Sequence, residues 1–103
     1  MTTEELGKLL ETSGLPVAYN AFPIGDAPAL PFICYLYDDS NVFYADGEAY
    51  WGSGIYMVEL YTKIKSPDVE RAVEAVLNNI PFIKTETYLE DEKCFQILYE
   101  IEV

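Results

Sequence analysis

The chain has 103 residues, 18 acidic side chains against 6 basic ones and no histidine, for a net charge of -12 at pH 7. That length fits one domain, and a composition that is 50% hydrophobic and 15% aromatic excludes a disordered acidic tail. The charge opposes binding to phosphate backbones, and without histidine the chain lacks the usual general base near neutrality and the commonest metal ligand.

The first element is a helix from Thr2 or Thr3 to about Ser13: Thr2 and Glu5 resemble a capping box, and Leu6, Leu9 and Leu10 share one face. Gly14 and Pro16 end it, and Val17-Ala18-Tyr19 starts an extended segment. Pro23, Gly25, Asp26, Pro28 and Pro31 then mark a long loop rather than a linker between domains. Phe32 to Tyr37 is a strand, rich in aromatic and branched residues, that stops at Asp38-Asp39-Ser40-Asn41. Val42 to Ala45 is extended again, Asp46-Gly47 has hairpin-turn chemistry, and Gly52-Ser53-Gly54 precedes the next strand, so residues 38–54 read as a projecting hairpin arm or a mobile loop.

From Ile55 to Lys63 a strand places Tyr56, Val58, Leu60 and Thr62 on one side and Ile55, Met57, Glu59 and Tyr61 on the other. Neither side is wholly polar, which points to a neighbour covering the second face. Ser66 as N-cap, Pro67 at the first helical position and Asp68 and Glu70 in the first turn open a second helix, amphipathic through Val69, Ala72, Val73, Val76 and Leu77. Asn78, Asn79 and Pro81 close it. Strands from Phe82 to Leu89 and from Cys94 to Val103 should form a hairpin, the second with Phe95, Ile97, Tyr99, Ile101 and Val103 on one face. The expected fold is a single α+β domain over residues 1–103, ordered α-β-β-β-β-α-β-β, with an antiparallel or mixed sheet and both helices on one face.

Little in this pattern supplies catalysis. Cys34 and Cys94 have no histidine partner and form no C-x-x-C pair, so they read as buried free thiols, and no serine lies in a nucleophile elbow. Gly52-Ser53-Gly54 leads into a strand and does not cradle phosphate. Asp38-Asp39 and Glu90-Asp91-Glu92 lack calcium-loop spacing and read as solvated tips. No catalytic, cofactor-binding or metal-ligating residue is assigned, and no enzyme activity is expected. The start of the chain has neither a basic segment nor a long apolar run, so a soluble protein made without a secretory address is expected.

The nine tyrosines and one tryptophan exceed the needs of one small core. Tyr in strands is ordinarily sheet packing, but Tyr and Trp are also enriched at interfaces, and Tyr44, Tyr50 and Trp51 in the arm are the candidate contact residues. Lys63 and Lys65, two of the few cations, either pair with acids of a neighbouring subunit or form a solvated strand end.

Taken in order, Leu15-Pro16-Val17-Ala18-Tyr19, Leu30-Pro31-Phe32-Ile33, Tyr35-Leu36-Tyr37, Asn41 to Gly47, Val58 to Thr62, Ser66-Pro67-Asp68 and Glu86 to Glu90 resemble the small neck and tail-completion proteins of long-tailed phages and prophages, which include the tail terminators. The resemblance implies a structural virion assembly protein. It would form a homo-oligomeric ring, often a hexamer, on the head-proximal end of the tail tube, contacting the tail tube protein and the head–tail connector. Such a protein acts in the host cytoplasm during assembly and then in the virion neck, and neither a cofactor nor a membrane is implied. An acidic channel suits DNA that must pass without specific binding. The alternatives are a different neck component, such as a head-closure or head–tail joining protein, and an acidic nucleic-acid mimic that inhibits a DNA-binding protein.

Overall fold

Among the described residues, two well-capped helices and five strands build one sheet with a single helical layer. The structure is a computed structural model that describes residues 1–38 and 54–103. Helix α1 (Thr3–Glu11) begins where the Thr2 hydroxyl accepts the Glu5 amide and the Glu5 carboxylate accepts the Thr2 amide at 2.9 Å, completing the expected capping box. Helix α2 (Pro67–Val76) begins where the Ser66 hydroxyl accepts the Val69 amide, with Pro67 in its first turn.

The strands are β1 (Val17–Tyr19), β2 (Phe32–Tyr37), β3 (Ile55–Thr62), β4 (Phe82–Leu89) and β5 (Cys94–Glu102). They lie in the order β1-β2-β3-β5-β4, with β1 parallel to β2 and all other neighbours antiparallel. The sheet is therefore mixed. Helix α2 carries the chain from β3 to β4, and β5 returns between those two strands. The α+β class and element order are as expected. Val42 to Ala45, expected as an extended segment, lies outside the described residues, as does the arm except for its ends. Those ends are tied to the sheet: the Asp38 amide donates to Ile55 O at 2.8 Å, and Gly54 and Val103 exchange two backbone hydrogen bonds.

Register and alternation give the sheet two unlike faces. On the covered face, Ile33 and Tyr35 of β2, Tyr56, Val58 and Leu60 of β3, and Ile97, Tyr99 and Ile101 of β5 are buried against Leu6 and Leu10 of α1 and against Val73 and Leu77 at α2. Both helices lie on this one side. The covered face also absorbs tyrosines by giving their hydroxyls partners. Tyr56 Oη lies 2.7 Å from Thr3 Oγ1, Tyr35 Oη donates to Thr3 O, and the fully buried Tyr99 donates to Glu74 at 2.8 Å. Gly7 of α1 faces the Tyr35 hydroxyl so closely that a Cβ there would collide with it.

Candidate functional site: the uncovered sheet face and its charged border

Among the described residues, no helix lies on the opposite face. Phe32, Cys34 and Leu36 of β2 alternate outward on it, as do Met57, Glu59 and Tyr61 of β3, Leu98 of β5 and Ile83 of β4. The loop before β2 covers part of it, with Phe22 edge-on to Phe32 at 5.1 Å and Phe32 tilted against Tyr61 at 5.4 Å. The mixed character of β3 in the sequence thus corresponds to a face that the helices leave open.

A polar group occupies the middle of this apolar surface. Tyr61 Oη donates to Glu59 Oε1 at 3.1 Å, and Gln96 Nε2 donates both to Glu59 Oε2 at 3.3 Å and to Tyr61 Oη at 3.1 Å. Burial pushes the Glu59 carboxyl above its ordinary value, and the Tyr61 hydrogen bond only partly offsets this. Burial likewise raises Tyr61 to about 12, against the Gln96 hydrogen bond and with the Glu59 charge adding to the rise. Cys34 lies directly across the strand pair from Glu59, and burial and then the Glu59 charge push its thiol up. A thiol so placed is a weak nucleophile at neutral pH. Both cysteines are free and buried, in agreement with the sequence reading. Farther along the same face, Ile55, Ile83, Glu100 and Glu102 border a shallow depression of about 240 Å³.

On the covered side, the border between α2 and β4 is ionic. Glu70, only 3% exposed, receives Lys84 Nζ at 2.8 Å on Oε1. Lys65 Nζ reaches its Oε2 at 2.6 Å, an ion pair that falls short of an aligned hydrogen bond. Lys84 also binds Glu74 at 2.7 Å, and Lys65 binds Glu86. Burial, the largest single influence on Glu70, pushes its carboxyl up, but Lys65 and Lys84 together outweigh it and hold the carboxyl below its ordinary value. Glu74 is lowered in the same way by Lys84 and Tyr99 against the effect of burial.

Of the residues singled out in the sequence, Tyr44, Tyr50 and Trp51 lie outside the described residues. Lys65 has its partners, Glu70 and Glu86, within its own chain. Lys63 is exposed just past the end of β3. The structure therefore separates the two lysines, although they stand two places apart. Glu59 and Gln96 were missed, and the available signal was a lone acid and a lone amide set among apolar residues at alternate strand positions. Among the described residues no group of three or more His, Cys, Asp and Glu is placed to hold a metal ion, and no helix is long and apolar enough to cross a membrane. Compared with models of known protein families and with curated proteins, the chain matches none.

Proposed function

We propose that this chain is a non-enzymatic structural subunit of a phage or prophage neck, a tail terminator or tail-completion protein that forms a ring at the head-proximal end of the tail tube. The observation that carries the proposal is the sheet face without helices, where Phe32, Leu36, Met57 and Leu98 surround a hydrogen-bonded acid. A surface of this kind, apolar with a satisfied polar centre, suits burial against another protein better than contact with water. The sequence resemblance supplies the kind of assembly. A charge of -12 per subunit, multiplied around a ring, supplies a lumen that repels DNA rather than holding it. Ring closure requires a heterologous contact, in which the uncovered face of one subunit meets a different surface of the next.

Native mass spectrometry with negative-stain imaging, over a range of protein and salt concentrations, tests the proposal. The expected result is a closed ring with a central hole, formed by the protein alone or on addition of its tail tube. A strict monomer under both conditions, or a gene neighbourhood without tail-tube and portal genes, overturns it.

A further inference from the structure

We propose that β4 pairs with β4 of a second copy of the chain, antiparallel and centred on Thr85, so that two sheets join edge to edge.

The two edges of the sheet differ in ways that matter for association. Strand β1 is three residues long, whereas β4 is eight residues long and stays in unbroken register with β5 over its whole length. Every residue from Phe82 to Tyr88 is exposed, with Ile83 at 65% and Tyr88 at 48%. Natural edges are commonly guarded by shortness, bulges, internal proline or a projecting lysine. No proline or bulge interrupts β4, and its one lysine, Lys84, is turned onto Glu70 and Glu74. In a chain of charge -12, the β4 segment carries one cation and one anion, so it brings no net charge to a contact between copies.

Backbone parity and charge together select one register. In an antiparallel pair, residues that point their N–H and C=O groups outward must face residues that do the same, and these alternate along the strand. A strand pairing with itself therefore matches positions of equal parity. Two such registers give the longest overlap. One sets Glu86 opposite Glu86, a like-charge pair on the two-fold axis that is unfavourable. The other sets Thr85 opposite Thr85, Lys84 opposite Glu86 twice, Phe82 opposite Tyr88 twice and Ile83 opposite Thr87 twice. Every cross-strand pair in this second register is a favourable or neutral type. Lys84 and Glu86 both lie on the covered side and remain 36% and 41% exposed, so the contact extends the existing ionic border across the axis. The product is a continuous sheet that joins the five described strands of each copy, with the described helices on one side.

This contact is isologous and closes on itself, so it stands independently of the ring, which needs a heterologous contact elsewhere. The test uses the full chain. Sedimentation or light scattering should show a concentration-dependent dimer. Thr85→Cys should form a disulfide-linked dimer on mild oxidation, reversed by dithiothreitol, because facing residues lie about 5 Å apart between Cα atoms. Thr87→Cys alone should cross-link poorly, since the two copies of that position stand about 13 Å apart. A mixture of Ile83→Cys and Thr87→Cys chains should give the mixed dimer. Ile83→Lys, at a solvent-exposed position, should keep the wild-type circular dichroism spectrum and weaken association on the order of tenfold. Failure of Thr85→Cys to cross-link, or equal cross-linking by Thr87→Cys, overturns the pairing. A ring that persists unweakened in Ile83→Lys with no Thr85→Cys cross-link overturns it while leaving the neck proposal intact.

Discussion

Glu70 and Glu59 are carboxylates withdrawn from water on opposite faces of one sheet, and their proton affinities move in opposite directions. Glu70 is only 3% exposed, yet its carboxyl lies below the ordinary value because Lys65 and Lys84 reach both of its oxygens. Glu59 has hydrogen bonds from Tyr61 and Gln96 but no cation among its influences, so burial prevails and the carboxyl is raised. Burial raises both carboxyls, and only at Glu70 do cationic partners outweigh it. The covered face spends its cations on stability within the chain. The helix-free face holds its acid with neutral groups only.

Removing a cation from Glu70 breaks this contrast most strongly. Lys84→Met leaves a buried carboxylate with one partner, and a loss of about 2 kcal/mol near neutral pH is expected, less than for a fully enclosed pair because Lys84 is partly exposed. Glu70 and Glu74 sit below their ordinary value of 4.5, so the stability they contribute is present above that pH and lost as the pH falls through their folded values. Urea unfolding of Lys84→Met should therefore differ from wild type near neutrality and converge with it in acid. An equal difference at both ends of the pH range contradicts the ionic account.

Gly7→Ala tests the helical side of the covered face. The added methyl meets the Tyr35 hydroxyl, which donates to Thr3 O, and the ring cannot yield without losing its place in the core. A net loss of about 1–2 kcal/mol is expected, although alanine alone favours the helix by about 1 kcal/mol. A more stable variant in thermal or urea unfolding contradicts that packing.

Thr62→Val acts on the same face with the opposite sign. Thr62 is 3% exposed, and its hydroxyl has no hydrogen-bond partner among the described residues. An apolar group of the same shape should raise stability by about 1 kcal/mol, read as a higher urea midpoint with unchanged slope. Loss of stability would instead reveal that the hydroxyl has a partner.

The smallest effect is expected on the uncovered face. Glu59 is raised, so the stability its carboxyl contributes is present below the ordinary value of 4.5 and lost as the pH rises through its folded value. Glu59→Gln should therefore be slightly more stable than wild type near neutrality, with the gain vanishing in acid. A gain that persists unchanged into acid contradicts the assignment of the shift to this carboxyl.

Local chemistry in the sequence was enough to place both helices and the four longer strands. Thr2 with Glu5 and Ser66 with Pro67 are caps made by neighbouring residues, and Tyr56, Val58, Leu60 and Thr62 display their buried face through simple alternation. The single-domain α+β class follows from the order of such elements. What lay beyond local reading was which elements become neighbours. That β1 runs parallel beside β2, that β5 lies between β3 and β4, and that β4 is left as a long edge are matters of long-range pairing, to which no short stretch of chain commits. Lys63 and Lys65 look alike in the sequence, and only the approach of α2 and β4 gives one of them Glu70 and Glu86 while the other stays at the strand end. The charge of -12 is a sum over residues and needs no fold to compute. Where that charge is neutralised depends on Coulomb energies between groups far apart in sequence, and those exist only once the sheet and helices have brought the groups within a few ångströms.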